Sequence, residues 1–341
     1  MTQPTTRKRG LFVATVVANE PLCREHFRLT LAVKDFPPAA PGQFVQLSCQ
    51  SPDEPADEPD EHAWKSPAQP GLRTRSLVAP LPLLRRPFSL AAVRPHPTEP
   101  ATWLLEIIGR AIGLGTSRLA KLAPGERIDL IGPLGNSFPM PEAHQTALLV
   151  GGGVGIPPMI FLAETLVVRA KAQIGGVGTV DPGADPVAIA IAGVTTMDFL
   201  PLTCDENIPP NAELPNMCAA DFARFGVPTI ITSDDGSVGM KGLVTDALAR
   251  LVDRLARPAD RLVIYTCGPE RMMRAVTALA IARNIRVWVA MERSMACGIG
   301  TCQSCVCKIR EAESKEKTPD WAYKLVCTDG TIFDGRAIVW E

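Results

Sequence analysis

Four cysteines near the C-terminus are spaced C-x4-C-x2-C-x21-C: Cys297, Cys302, Cys305 and Cys327. A [2Fe–2S] cluster takes four thiolates, and a C-x4-C-x2-C run followed by a distant cysteine is typical of such clusters. The small residues Gly298, Gly300 and Ser304 lie between them and let backbone N–H groups approach the sulfur atoms. The spacing therefore predicts a one-electron carrier.

The same four cysteines have alternative uses. A structural zinc site with four thiolates commonly uses two C-x2-C pairs, and this segment has one. The spacing favours iron, with a zinc site and plain packing or disulfide cysteines as the alternatives. Cys307, two residues after Cys305, fits a strand better than a ligand set.

Length and composition bound the protein class. The chain has 341 residues, which suits two or three domains, and a net charge of −1, which gives no electrostatic footprint for nucleic acid or an anionic membrane. Its ten cysteines are sparse, so we expect a reducing, cytoplasmic location. We expect no signal peptide, and no membrane span because glycines and prolines interrupt the apolar stretch 147–168.

The elements that position the cysteines fall into three predicted domains. Residues 9–142 predict a small antiparallel β-barrel, with strands at 11–17, 27–33, 43–49, 88–93, 103–108 and 127–131. The acidic, proline-rich segment 51–83 inside it is predicted to be a disordered insert. The segment Gly132–Asn136 is interpreted as a turn linking the barrel to the next domain.

Residues 143–290 alternate between strands and helices. Strands are predicted at 147–150, 187–193, 229–232, 262–265 and 286–289, and helices from 156, near 243–255 and near 270–282. This alternation predicts a parallel sheet covered by helices, as in nucleotide-binding α/β domains. Segments 172–185 and 197–219 are read as surface insertions, the second with Cys204 and Cys218 as free thiols. Residues 291–341 form the predicted cluster module.

Two motifs suit a dinucleotide. An arginine at the start of the strand Arg86-Pro87-Phe88-Ser89 can pair with a pyrophosphate. The run Gly109-Arg110-Ala-Ile-Gly-Leu-Gly115-Thr116 predicts a glycine turn opening a helix at 116–122, which offers free N–H groups to a phosphate. A surface arginine before a strand is the alternative for the first motif.

A second set of motifs predicts a nicotinamide site. The run Gly151-Gly152-Gly153-Val-Gly155 joins a strand to a helix, although it is not a G-x-G-x-x-G fingerprint and tight packing alone could select its glycines. Thr232–Ser237 and Cys267-Gly268-Pro269 end two further strands at the same predicted edge. Cys267 is placed beside the nicotinamide as the catalytic residue, with an ordinary buried thiol as the alternative.

Together these motifs resemble the ferredoxin–NADP reductase superfamily, and the segment Glu292-Arg-Ser-Met-Ala-Cys-Gly-Ile-Gly is similar to that of electron-transfer subunits of NAD-dependent dihydroorotate dehydrogenase. The resemblance implies an FAD-binding barrel, an NAD-binding domain and a C-terminal [2Fe–2S] module. It places Arg86–Ser89 along the FAD, Ile108–Arg110 at its adenine side, Gly115 and Thr116 at its pyrophosphate, and the four cysteines on the cluster.

The resemblance also implies a function and a partner. An FMN-containing catalytic subunit would oxidise dihydroorotate in pyrimidine biosynthesis, and this chain would pass the electrons through the cluster and FAD to NAD+, in a heterotetramer with two copies of each subunit. Two alternatives remain: the small subunit of an NAD(P)H-dependent ferredoxin or sulfur oxidoreductase, where an aspartate is expected among the cluster ligands, and a zinc-holding interaction module with a vestigial flavin seat. The chain departs from the family pattern in segment 51–83, around Cys204 and in the loop Glu311–Asp320, which leaves Cys327 the least secure ligand.

Overall fold

A computed structural model of the protein describes residues 9–50, 52, 84–173, 186–205, 208, 212–311 and 320–341. The predicted disordered insert 51–83 lies outside the described residues except for Pro52. Most of segments 172–185 and 311–320 also lies outside them.

The N-terminal part of the chain forms a seven-stranded antiparallel sheet, which confirms the predicted barrel. Its strands are β1 (Gly10–Cys23), β2 (His26–Lys34), β3 (Phe44–Leu47), β4 (Arg86–Ser89), β5 (Ala92–Pro95), β6 (Thr102–Arg110) and β7 (Arg127–Leu134), in the order β4-β3-β7-β1-β2-β6-β5. Alternate residues of each strand point inward, as Leu29, Leu31 and Val33 do in β2. This alternation makes one apolar core inside the sheet.

Three local predictions in this region were wrong in detail. The expected strand 88–93 is divided into β4 and β5, because the chain turns at Leu90 and Ala91. Helix α1 runs over Leu114–Leu119, two residues earlier than expected, so Gly115 and Thr116 lie inside its first turn. The predicted turn Gly132–Asn136 is wrong for its first three residues, since β7 continues through Leu134, which pairs with Phe44; the chain turns only from Gly135, with φ +76°.

The second sheet is parallel over its first six strands: β8 (Thr146–Gly152), β9 (Ala188–Val194), β10 (Thr229–Ser233), β11 (Met240–Lys241), β12 (Leu262–Cys267) and β13 (Arg286–Ala290), in the order β11-β10-β9-β8-β12-β13. Helices α2 (Ile156–Gln173), α3 (Ala220–Ala223), α4 (Val244–Leu255) and α5 (Glu270–Ala282) follow strands of this sheet. Alternate residues of β8 pack against α2 on one face of the sheet and against α4 and α5 on the other. Because helices cover both faces, the strands of this sheet are almost wholly apolar.

Helix α2 with its preceding turn, Gly153–Gln173, is the one described segment long and apolar enough to cross a membrane. Of its most apolar stretch, 61% is buried inside the protein. Packing against the sheet therefore accounts for its hydropathy.

The C-terminal residues form a hairpin and then return to the second sheet. Strands β14 (Val306–Arg310) and β15 (Trp321–Leu325) pair antiparallel, which confirms the expected strand around Cys307. Strand β16 (Ile332–Asp334) then pairs antiparallel with β13. The predicted cluster module is thus attached, through β16, to strand β13 of the sheet that carries the predicted nicotinamide site.

Candidate iron–sulfur and nucleotide site

The hairpin β14–β15 joins two cysteines that are far apart in the sequence. Cys305 precedes β14 directly, Cys327 follows β15 by two residues, and the N–H of Val326 donates to the carbonyl of Cys305 at 2.9 Å. The two cysteines are 1% and 2% exposed. Cys327 is therefore brought to Cys305 although the loop between the strands is long.

The other two cysteines are held by a loop. We call residues 297–304 the cluster loop. The N–H groups of Ile299 and Cys302 point to Cys297 Sγ at 3.5 and 3.4 Å, and Ser304 Oγ lies 3.2 Å from Cys302 Sγ. Gly298 and Gly300 have φ of +69° and +89°, which favours glycine and lets the loop fold around the sulfur atoms.

The four thiols thus form two pairs, one in the cluster loop and one at the hairpin. In the described part of the chain, no three histidine, cysteine or acidic side chains gather as ligands of one metal ion. A two-iron cluster needs two thiolates on each iron, and the pairs Cys297 with Cys302 and Cys305 with Cys327 match that requirement.

Two of the four thiols, Cys327 and Cys302, differ in their electrostatics. Burial, with a contribution from neighbouring Cys305, raises the pKa of the Cys327 thiol to about 12. Hydrogen bonds from Ser304 and then from Cys297 lower the pKa of the exposed Cys302 thiol to about 6. A bound cation stabilises the thiolate outright, so Cys327 has a greater need than Cys302 for positive charge to become a ligand.

Basic side chains converge at the start of helix α1. A methyl carbon placed on Gly115 would lie 2.7 Å from Cys49 Sγ and 3.3 Å from Arg86 Nε. Burial raises the pKa of Cys49, while the charges of Arg86, Arg118 and Arg85 oppose that rise. The guanidinium group of Arg86 therefore adjoins the tight position of Gly115, and those of Arg118 and Arg85 are close enough to act on the neighbouring Cys49 thiol; this basic cradle fits a pyrophosphate.

The remaining predicted flavin contacts lie on neighbouring strands. Strand β4, with Arg86–Ser89, pairs with β3, and Phe88 is buried in the barrel core. A side chain at Gly109 would collide with the rings of Phe27 and Phe88. Arg110 forms an ion pair with Glu25 at 2.8 Å, and its guanidinium carbon lies 4.5 Å from the centre of the Phe199 ring. The hydroxyl of Thr116 accepts from the N–H of Gly113 at 3.1 Å.

Two of the predicted nicotinamide segments, Gly151–Gly155 and Cys267–Pro269, meet at the carboxyl ends of the adjacent strands β8 and β12, whereas Thr232–Ser237 follows β10, which β9 separates from β8. Cys267 is in register with Gly151 on one side and with Ala290 on the other. We call residues 151–155 the nucleotide turn. Gly155 packs so closely on the carbonyl of Cys267 that a methyl group would overlap it, whereas Gly153, with φ +52°, has open space around it. Packing therefore explains part of the glycine run and leaves Gly153 facing a space where a ligand can approach.

Cys267 itself is a buried thiol. Burial, and then the charge of Glu292, raises its pKa, so the thiol stays protonated at neutral pH. Burial also raises the pKa of the Glu292 carboxyl, which follows the end of β13 by two residues. The chain runs from Ala290 through Glu292 directly into the cluster loop, so the two candidate sites share one short connection.

Two features of this region were not predicted from the sequence. Gln46 in β3 is fully buried against the cluster loop, and Arg85 and Arg118 join Arg86 at the start of α1. A single polar residue in the apolar run Phe-Val-Gln-Leu was the signal for Gln46. No comparable local signal existed for the arginines, because they converge through the fold.

Comparison with known proteins agrees with this arrangement. The family model described as the iron–sulfur cluster binding domain of dihydroorotate dehydrogenase B matches residues 292–339. The electron transfer subunit of dihydroorotate dehydrogenase B (NAD(+)) from Geobacillus sp. (strain WCH70) is 32% identical over 331 residues, covering 95% of this chain and 97% of that protein. The corresponding subunit from Geobacillus kaustophilus is 36% identical over 260 residues, covering 76% and 81%.

Solved structures show the same fold at lower identity. An NADH-dependent reduced ferredoxin–NADP oxidoreductase structure aligns with a TM-score of 0.63 at 23% identity, covering 96% of this chain and 90% of that chain. An Amycolatopsis cytochrome P450 reductase aligns with a TM-score of 0.52 at 20% identity, covering 83% and 70%. These likenesses establish the reductase-like arrangement of the two sheets.

Proposed function

The chain belongs to the family of dihydroorotate dehydrogenase B electron transfer subunits, and from this premise we propose how its residues serve that function. It is an oxidoreductase subunit that works with a catalytic subunit, transferring electrons from dihydroorotate oxidation to NAD+ in pyrimidine biosynthesis.

We assign the cofactors to three groups of residues. Cys297, Cys302, Cys305 and Cys327 hold the [2Fe–2S] cluster as two pairs. The FAD lies along Arg86–Ser89 and Ile108–Arg110, with its pyrophosphate at Gly115, Thr116 and the arginines around them. NAD binds at the carboxyl edge of the second sheet, at Gly151, Gly152, Gly153, Gly155, Gly268 and Pro269. FAD, when bound, exchanges two electrons with nicotinamide and single electrons with an iron–sulfur centre.

The protein's own contribution is to fix these groups and to exclude competing reactions. Cys267, buried and protonated beside the nucleotide turn, would present a neutral thiol and not a reactive thiolate to a nicotinamide bound there. The observation that carries the proposal is the convergence of Cys305 and Cys327 at the hairpin, next to the cluster-loop pair and directly after β13.

An anaerobic absorbance spectrum before and after addition of NADH tests this function, with iron, sulfide and flavin quantified on the same sample. We expect flavin bands and a sulfide-to-iron band that both bleach. A colourless protein containing zinc would contradict the proposal and support the interaction-module alternative.

The partner in this proposal is an FMN-containing catalytic subunit, and the complex is a heterotetramer with two copies of each chain. The proposed location of the complex is the cytoplasm. The exposed Cys302 and Ile299 in the cluster loop support an approach of the partner at that side, and the ten free thiols support a reducing compartment. Co-expression followed by native mass spectrometry and flavin identification tests the composition. A stable complex without FMN would contradict it.

A further inference from the structure

Gln46 is a buried amide without partners. The side chain is fully buried in β3, and within the described residues neither its Nε2 nor its Oε1 has a hydrogen-bond partner. Buried amide groups in folded proteins nearly always have partners. An unsatisfied amide at such a position indicates that a bound group completes its hydrogen bonds.

Strand alternation shows which way Gln46 faces. Val45 belongs to the core inside the barrel, so Phe44 and Gln46 lie on the opposite face of β3. Phe44 packs in the same apolar cluster as Cys305 and Cys327. Gln46 therefore faces the cluster module and not the barrel interior.

The amide of Gln46 lies directly against the cluster loop. A methyl carbon placed on Gly298 would be 2.8 Å from Gln46 Cγ and closer still to Nε2. Of the two polar atoms of the amide, Nε2 is the one nearest this glycine, which follows Cys297 in the chain. An N–H donor is thus held at the loop that carries the first thiolate.

On its other side Gln46 adjoins the strand proposed to hold FAD. Gln46 is directly opposite Pro87 and Phe44 is directly opposite Ser89 in the antiparallel pairing of β3 with β4. Residues directly opposite each other share a face of the sheet. Gln46 therefore lies between the cluster loop and the flavin-binding strand.

We propose that Gln46 is a positioning residue between the two redox groups, with Nε2 donating a hydrogen bond to a cluster sulfur on the Cys297 side. This inference rests on the proposed function. A hydrogen bond to a cluster sulfur stabilises the reduced, more negative cluster and raises its reduction potential. The amide would thus favour electron arrival at the cluster and fix the loop against β3.

The test is a redox titration of the full chain with its cofactors, followed by electron paramagnetic resonance, on the variants Gln46→Met and Gln46→Glu. Neither methionine nor ionised glutamate can donate a hydrogen bond. We therefore expect the equilibrium constant for one-electron reduction of the cluster to fall about tenfold, which corresponds to a fall of about 59 mV in its reduction potential. Thr277→Val removes another buried, unpartnered polar group, on helix α5, and is expected to leave the potential unchanged.

A measurement without a Gln46 variant covers the case in which both variants fail to assemble a cluster. Glutamine side chains are labelled with ¹⁵N in a Gln303→Asn background, which removes the glutamine that follows Cys302 in the cluster loop. Hyperfine coupling of an amide ¹⁵N to the reduced cluster is expected, and its absence overturns the inference. Wild-type potentials and spectra in both Gln46 variants also overturn it. A wild-type chain without iron and sulfide would instead contradict the proposed function.

Discussion

The cluster loop and the nucleotide turn are both glycine-rich, but their glycines answer different physical needs. In the cluster loop, Gly298 and Gly300 both have positive φ, so the local backbone path requires them, and contact with Gln46 adds to this need at Gly298. In the nucleotide turn, Gly153 alone has positive φ, whereas Gly155 is required by contact with the carbonyl of Cys267, a residue more than 100 positions away. A glycine run alone therefore does not identify a cofactor site, and each position has to be tested separately.

Gly155→Ala is expected to have the largest effect on stability. The added methyl group would overlap backbone atoms of Cys267 and Gly268, which no change of rotamer can move aside. We expect the free energy of unfolding to fall by about 3 kcal/mol or more, at the upper end for overpacked sites. Denaturant unfolding measures it, with Gly113→Ala as the control because no atom lies within 4 Å of that position. Equal midpoints for the two variants would disprove the packing explanation.

Gly298→Ala is expected to lower the free energy of unfolding by about 2 kcal/mol, because it combines backbone strain at φ +69° with a clash against Gln46. Iron and sulfide per chain should fall with it. Gly125→Ala is the matched control, since Gly125 has φ +90° but no neighbouring atoms within 4 Å. Full cluster content in Gly298→Ala would show that the loop does not depend on this contact.

Cys267→Ala is expected to change the pH dependence of stability. Burial raises the pKa of this thiol above its ordinary value of 9.0, so only the unfolded chain ionises it as the pH rises from about 9. The thiol therefore contributes stability below pH 9 that is lost at higher pH, with a slope of up to about 1.4 kcal/mol per pH unit. Unfolding between pH 8 and 10.5 should show a smaller slope in Cys267→Ala. Thr266→Val, one residue earlier, should keep the wild-type slope.

Gly153→Ala is expected to have the smallest effect on stability, about 1 kcal/mol from its positive φ alone, because its surroundings are open. NADH affinity, measured by fluorescence titration, should nevertheless fall about tenfold if a nucleotide approaches this backbone. Gly226→Ala, with φ +75° and equally open surroundings, should lose similar stability at unchanged affinity. Unchanged NADH binding in Gly153→Ala would remove this glycine from the proposed site.

Predictions from the sequence succeeded where the signal was local or strongly periodic. Helix α5 over Glu270–Ala282 has the expected bounds, and β8, β12 and β13 lie where apolar runs predicted them. The interpretation of Gly132–Asn136 as a turn was wrong for its first three residues because Gly132 and Pro133 suggest a turn locally, whereas pairing of Leu134 with Phe44 extends the strand. Pairing between distant segments decided that case.

Local signals were enough to identify the four cysteines of the cluster motif and the order of the two sheet types, because spacing and periodicity act over a few residues. The contact of Cys327 with Cys305, that of Gly155 with Cys267 and that of Gln46 with the cluster loop depend instead on the folded chain. Each of these contacts joins segments far apart in the chain. Their partners are selected by packing of the whole fold, and no local pattern encodes them.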